Sequence, residues 1–221
     1  MIHVTDKIIR SVHSAIERLT DTFMMSPTLF YTEHDMASFA YHCIQEELRY
    51  PQFKDKEGQS HFLVHHEWPT PFRCNMKGHV FEVIDDNRND YRKYKRGHYD
   101  IVVFNPEFIA ENTYNVVKAQ TFNDVKALLA KRYSGPVPVL FGIELMFRRT
   151  PQKGLDPNWI ASIKQDSEKL RYSKRNNLML ETLTLAFDAF PNDSRIKALR
   201  QIERHDPCIR YIIPLANRNC W

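Results

Sequence analysis

Apolar residues recur at helical spacing near the start of the chain. Every third or fourth position across 6–24 is apolar and would line one face of a helix: Ile9, Val12, Ile16, Leu19 and Phe23. Thr5 precedes this run and is a candidate N-cap, because its hydroxyl can accept a hydrogen bond from a free amide of the first turn. The pattern predicts an amphipathic helix that packs on the rest of the protein.

A second helix has a clearer beginning and end. Thr32 and Asp35 have the spacing of a capping box, and Pro51 ends the element. The apolar stripe of this helix contains Met36, Phe39, Ala40, Cys43, Ile44 and Leu48. Glu47 follows Met36 by 11 residues and is therefore predicted on the centre line of the stripe, where a carboxylate is unexpected.

Short apolar runs alternate with helical patterns over the remaining chain. Strands are predicted at 61–68, around 80–84, and at 99–104, 137–147, 178–187 and 209–215, with the first one ended by Pro69 and Pro71. A helical insertion is predicted at 107–135, which includes a capping pattern at 121–124. Further helices are predicted after Asp156-Pro157 and at 194–204.

The resulting order is α-α-β-β-β, a helical insertion, then β-α-β-α-β, which predicts an α/β fold with a mixed sheet flanked by helices. We expect a single domain over 1–221. It would comprise a core at about 32–188, an N-terminal helix at 6–24, the insertion at 107–135 and a C-terminal helix and strand at 194–215.

Composition narrows the class of protein. The chain has 221 residues, of which 43% are hydrophobic and 26% are charged, as in globular proteins. Its formal charge of +4 is compatible with a nucleic-acid partner without requiring one. The four cysteines are widely spaced, and there is neither a signal-peptide pattern nor a long apolar stretch, so we expect a cytoplasmic protein without a membrane partner.

Two acidic residues fall on strands that are expected to be buried. Asp100 lies near the start of the apolar run YDIVVF, and Glu144 lies inside VPVLFGIELMF. A buried carboxylate costs several kcal/mol unless it is paired, protonated or bound to a metal. The two acids therefore suggest a shared site, to which Glu47 could contribute from the helix and Glu67 from the first strand. Carboxylate oxygens suit Mg²⁺, which can activate water for phosphodiester cleavage.

Structural roles for the same residues remain open at this point. Asp100 could cap a turn or pair with Arg96, and Glu144 could form a salt bridge with a buried Arg or Lys. Glu47 could point outward, and Lys169 could be an ordinary solvated residue.

The acids resemble the motif of a known superfamily. Glu47 on a helix, Asp100 in GHYDIVVF and Glu144 in FGIELMF resemble the PD-(D/E)XK nuclease superfamily, whose core is the restriction-endonuclease-like α-β-β-β-α-β arrangement. The D-x-x-K-L pattern of Asp166–Leu170 also resembles the helix that follows the third strand in many members. The resemblance covers about 32–188.

The resemblance implies a function and a set of roles. Asp100 and Glu144 would bind Mg²⁺ (or Mn²⁺), Glu47 would assist, and the reaction would be hydrolysis of DNA phosphodiester bonds. A homodimer is one possible assembly.

One position departs from the family. Met146 stands two residues after Glu144, where the family has a lysine that stabilises the charged transition state. Replacement cations could come from Arg148, Lys164 or Lys169. If none replaces it, the alternative is a catalytically inactive nuclease-fold protein that binds nucleic acid or a protein partner.

A basic loop leads directly into the Asp100 strand. Its cations are Arg88, Arg92, Lys93, Lys95 and Arg96. Cations neutralise phosphates, and the two tyrosines of the loop could stack on bases, so we predict that this loop contacts DNA. A solvated loop without a ligand accounts equally well for the same residues.

Overall fold

In this computed structural model, strands from most of the chain form one six-stranded mixed sheet. The structure describes residues 4–49, 52–77, 80–84, 96–119, 124, 127–129, 134–151 and 153–215. The strands are β1 Gln52–Lys54, β2 Ser60–Phe62, β3 Val64–Asn75, β4 Glu82–Ile84, β5 Arg96–Phe104, β6 Val139–Arg148, β7 Met179–Asp188 and β8 Ile209–Ile212. Their order in the sheet is β4-β3-β5-β6-β7-β8, and β1 and β2 form a separate hairpin. The predicted α/β fold is confirmed at this level.

Strand direction changes in the middle of the sheet. β3 pairs antiparallel with β4 and β5, and β5 pairs antiparallel with β6. β6, β7 and β8 are parallel. Parallel neighbours require crossover connections, and two helices supply them: α5 (Pro157–Arg175) between β6 and β7, and α6 (Asp193–His205) between β7 and β8.

The N-terminal helices are α1 (Val4–Met25) and α2 (Glu33–Glu47), separated by a 3₁₀ turn at Pro27–Leu29. The Thr32 side chain accepts a hydrogen bond from the Asp35 amide, and Asp35 accepts one from the Thr32 amide, so the predicted capping box is confirmed. Thr5 lies inside α1 and does not cap it, so that prediction is wrong.

The predicted insertion contains two short helices, α3 (Pro106–Glu111) and α4 (Tyr114–Lys118). Its proposed capping pattern at 121–124 lies outside the described residues except for Asp124. The predicted start of α5 is confirmed, because the Asp156 side chain accepts a hydrogen bond from the Trp159 amide. None of the helices in the described part of the chain combines the length and the apolar character needed to cross a bilayer.

β3 extends through the two prolines that were expected to end it. The pairing of β3 with β5 shifts register between Pro69 and Arg73, which marks a bulge. Bulges tolerate proline, because a bulged residue does not need its amide for the strand ladder. The hairpin of β1 and β2 was not predicted, and its turn is held by Asp55, which accepts hydrogen bonds from the amides of Glu57 and Gln59.

Successive side chains along β6 point to opposite faces of the sheet, and the two faces have different surroundings. Phe141 and Phe147 face α1, where they contact His13 and Phe23 edge-on. Gly142 faces α5 and β7, and a Cβ there would lie 2.4 Å from the Met179 sulfur and 3.2 Å from Leu170 Cδ2. Glycine at this position therefore allows α5 to pack close to the sheet.

Candidate active site

Two carboxylates bind the backbone of β6 where it separates from β5. The pairing of these strands ends where Ile101 pairs with Ile143. Beyond that point, Asp100 Oδ2 accepts a hydrogen bond of 2.6 Å from the Leu145 amide. Glu33 Oε2, from the first turn of α2, accepts one of 3.1 Å from the Phe147 amide. Side-chain oxygens thus replace the strand carbonyls that would otherwise accept these hydrogen bonds.

Lys169 lies beside the point where β5 and β6 separate, which we call the fork. Its Nζ is 2.8 Å from Glu144 Oε1 and 3.2 Å from Asp166 Oδ1, and it donates a hydrogen bond of 2.7 Å to the carbonyl oxygen of His98. Glu144 is 3% exposed and Lys169 is 4% exposed, so their charges are removed from water. An ammonium group has three N–H donors, and three oxygen acceptors lie around this one.

The acids of this cluster have altered proton affinities. Burial raises the pKa of Asp100 to about 7, and the negative charges of Glu33 and Asp166 add to the effect, whereas the Leu145 amide and Lys169 oppose it. Burial also raises the pKa of Glu144 well above its usual value, against the opposing charge of Lys169, and the charge of Asp100 raises it further. The charges of Lys169 and Asp166 act on both acids, so the two predicted ligands share one electrostatic environment.

Glu33 and Lys169 are also perturbed. Glu33 as a residue is exposed, but burial of its carboxyl end against β6 raises its pKa, and the charge of Asp166 contributes. Burial lowers the pKa of Lys169, but the charges of Glu144 and Asp166 outweigh it, so the net pKa is above its ordinary value. Lys169 therefore stays protonated at neutral pH.

We call Asp100, Glu144, Asp166, Glu33 and Lys169 the acid–lysine cluster. It contains four carboxyl groups and one cation, and the pKa values of Asp100, Glu144 and Glu33 are raised although Lys169 pairs with Glu144. Its oxygen donors fit a hard divalent cation such as Mg²⁺, which proteins often bind through one or two carboxylates together with water. Asp100 and Glu144 would hold the ion. Among the described residues, no three His, Cys, Asp or Glu side chains are grouped to hold a metal.

Glu47 does not belong to this cluster. It is exposed in the last turn of α2, so the prediction that it lies on the buried stripe is wrong. The fully buried apolar residues of that stripe end at Ile44, and the neighbouring Glu46 pairs with Arg18 on α1. Fourteen residue steps separate Glu47 from Glu33, which corresponds to about 21 Å of helix, so the acid near the fork comes from the opposite end of α2.

The three candidate replacement cations have different surroundings. The Arg148 guanidinium binds Asp156 at the N-terminus of α5 and lies 5.7 Å from the Trp159 ring. Lys164 is exposed on α5. Met146 packs on the apolar cluster that α5, α6 and β8 share. Lys169 is thus the candidate that the structure brings to Glu144.

The predicted DNA-contact residues are largely outside the described part of the chain: Arg88, Arg92, Lys93 and Lys95. Arg96 donates hydrogen bonds to the carbonyl oxygens of Thr70 at 2.6 Å, Ala119 at 2.7 Å and Pro69 at 3.3 Å. It stabilises the bulge of β3, and a DNA contact would compete with these bonds.

Two members of the cluster were not assigned to the site from the sequence. Glu33 was not singled out, although it lies between the capping residues Thr32 and Asp35, and Asp166 was named only as part of the D-x-x-K-L pattern. Glu67 lies in β3 with a positive φ of 50°, and its charge contributes to the raised pKa of Glu33. The sequence carries one signal for Glu33, an acid in the first turn of a helix, but this signal is common to many helices.

In comparisons with known proteins, no family model, no curated protein and no solved structure matched the chain.

Proposed function

We propose that this chain is a metal-dependent nuclease that hydrolyses DNA phosphodiester bonds, with Asp100 and Glu144 as ligands of Mg²⁺ (or Mn²⁺). The observation that carries the proposal is the ion pair of 2.8 Å between Lys169 and Glu144. This pair supplies a buried cation beside the strand acids, although the family position for lysine holds Met146. The order of α2, β3, β5, β6, α5 and β7 also supports the restriction-endonuclease-like core that the resemblance implies.

The residues of the chain would have distinct roles. A bound metal would supply an activated water molecule and neutralise charge on the phosphodiester. Lys169 stays protonated and therefore does not act as a general base; it stabilises negative charge that develops at the phosphate. Asp100 would hold the metal in its ionised form. Because its pKa is about 7, metal binding and cleavage should increase between pH 6 and pH 8.

Cleavage of labelled DNA in Mg²⁺ or Mn²⁺ tests the proposal. Asp100→Asn and Glu144→Gln should each reduce the cleavage rate by about 100-fold or more, since changes even in residues behind metal ligands cost about 10–100-fold. Glu47→Gln is the matched control and should cleave at the wild-type rate. Undiminished cleavage by Asp100→Asn would refute the proposal.

Moving the lysine from position 169 on α5 to position 146 on β6 tests the role of Lys169. Lys169→Met should lose most of the activity, because Lys169 is the cation that pairs with Glu144 among the described residues. Adding Met146→Lys to that variant returns a lysine to β6, on the face of Glu144, and should restore part of the rate. If the single variant keeps full activity, the role assigned to Lys169 is wrong.

The second candidate function is a catalytically inactive nuclease-fold protein that binds nucleic acid or a protein partner. It is favoured by Met146 together with the three acceptors that already surround the Lys169 ammonium. Absence of cleavage with both metals and several DNA substrates, combined with salt-sensitive DNA binding, would support this candidate over the first.

A further inference from the structure

Two grooves flank α6 on its outer surface. The first has a volume of about 1060 Å³ and runs along α6 beside Ile213. The second has a volume of about 600 Å³ and lies between α6 and α5. Gln201 and His205 line both grooves, so the two form one continuous surface. We call it the α5–α6 surface.

This surface is rich in cations. Five lysine or arginine residues line its grooves, against two aspartates. The cations are Lys164, Arg171, Lys197, Arg200 and Arg204.

The cations differ in how far they are neutralised by acids. Arg171 pairs with Glu168 and Asp206, and Arg200 pairs with Glu203. Lys164, Lys197 and Arg204 are exposed, and within the described ranges no acidic side chain lies at ion-pair distance from them. These three charges are available to an anionic ligand.

The spacing of the cations on α6 suits a regular polyanion. Lys197, Arg200 and Arg204 are three and four residues apart and therefore lie on one side of the helix. They span about 10 Å along the helix axis. One strand of duplex DNA carries a phosphate about every 3.4 Å along its axis, so the two ends of this row, Lys197 and Arg204, are about three phosphate spacings apart.

The position of the surface connects it with the acid–lysine cluster. Lys164 points to solvent from α5, and Lys169, on the same helix, points to Glu144. The two residues are about 7.5 Å apart along the axis. DNA bound in the second groove would lie against α5, whose opposite side carries the cation of the proposed active site.

We infer that the α5–α6 surface binds the phosphate backbone of DNA independently of base sequence. The identity of the polyanion rests on the proposed function, whereas the surface itself rests on the geometry of α5 and α6. Its contacts are distinct from those predicted for the basic loop before β5.

Fluorescence anisotropy of a labelled DNA duplex, measured in EDTA over a range of salt concentrations, tests the inference without any cleavage. The variant Lys164→Ala/Lys197→Ala/Arg204→Ala should bind more weakly. The slope of log affinity against log salt should become shallower by about two to three, because each lost phosphate contact contributes about 0.9. All three residues are exposed, so the thermal unfolding midpoint should stay at the wild-type value.

A second triple variant controls for net charge. Lys7→Ala/Arg10→Ala/Lys54→Ala removes the same number of exposed cations from α1 and β1. It should keep the wild-type salt slope. Equal weakening by both triple variants, or an absence of salt-dependent binding by the wild type, would overturn the inference. Asp100→Asn separates the two proposals, because it should lose cleavage and keep binding.

Discussion

Two buried ionic clusters in the described part of the chain differ in their balance of charge. In the first, Arg195 and Asp188 are both 0% exposed and pair at 2.9 Å, and the Tyr211 hydroxyl donates a hydrogen bond of 3.0 Å to the same carboxylate. The remaining guanidinium nitrogens donate to the carbonyl oxygens of Gly154 and Phe190. We call this the balanced cluster, because one acid meets one cation.

The acid–lysine cluster has four carboxyl groups for one ammonium group. Its ammonium group lies beside three oxygen acceptors, but the pKa values of Asp100, Glu144 and Glu33 are raised, mainly by burial of their carboxyl groups. A balanced, fully hydrogen-bonded network stabilises one fold. An acid surplus costs stability and is found where proteins bind cations or carry out chemistry. The comparison therefore separates a structural cluster from a candidate functional one.

The largest expected effect on stability comes from breaking the balanced cluster. Arg195→Met leaves the buried Asp188 without its cation, and removal of one partner of such a pair costs about 3–5 kcal/mol of unfolding free energy. Urea denaturation measures the loss. Lys197→Met, at an exposed site of the same helix, is the control and should change stability by less than about 0.5 kcal/mol. A loss below about 1 kcal/mol for Arg195→Met would contradict the assignment.

Removal of the cation from the acid–lysine cluster should cost less. In Lys169→Met, Glu144 can take up a proton, because its pKa is already raised. We expect a loss of about 2–3 kcal/mol at pH 8 and a smaller loss at pH 5, where protonation relieves the buried charge. Urea denaturation at the two pH values measures the difference. A loss that is independent of pH would show that Glu144 does not change its protonation between pH 5 and pH 8 when its partner is absent.

Asp100 should stabilise the folded state at low pH, whereas most carboxyl groups of folded proteins stabilise it at higher pH. Its folded-state pKa is about 7, which is above the value of about 3.9 for an unfolded chain, so the folded state binds more protons between these values. Its contribution to stability is therefore present at low pH and is lost as the pH rises from about 4 to 7.

Asp100→Asn removes this dependence and still offers an oxygen to the Leu145 amide. Between pH 4.5 and pH 8, the free energy of unfolding of the variant should rise by about 1–2 kcal/mol relative to that of the wild type. This range allows for partial exposure of the Asp100 carboxyl group. Thermal unfolding at both pH values measures this gain. An equal effect at both would exclude the raised pKa.

The smallest effects distinguish the two ends of α2. Glu33→Gln keeps an acceptor for the Phe147 amide, so we expect a loss of stability below about 1 kcal/mol, together with a decrease in DNA cleavage of about tenfold. Glu47→Gln should change neither quantity. Cleavage that depends on Glu47 and not on Glu33 would support the catalytic role that the sequence predicted for Glu47.

Local signals in the sequence predicted most of the fold. The capping residues Thr32 and Asp156 each sit where the structure begins a helix, and the apolar runs around Asp100 and Glu144 are strands β5 and β6. These signals work because caps and buried strands depend on a few neighbouring residues. The extension of β3 through Pro69 could not be predicted this way, because its bulge depends on pairing with a distant strand.

The candidate site was predicted less completely. Helical periodicity gives the direction of Glu47 around the axis of α2, but it does not give the height of that residue relative to the sheet. For this reason Glu33 was missed, although both acids were visible in the sequence. The choice between Arg148 and Lys169 as the nearby cation also depends on packing, since Asp156 engages Arg148 only once α5 lies on the sheet.

Gly142 has a consequence for the acid–lysine cluster although it bears no charge. It lies on the same face of β6 as Glu144, and a methyl group there would meet the Met179 sulfur at 2.4 Å and Leu170 Cδ2 at 3.2 Å. Both side chains would have to move, and Leu170 is the neighbour of Lys169 on α5. A neutral position in the apolar interior thereby sets the room that the helix of Lys169 has above Glu144.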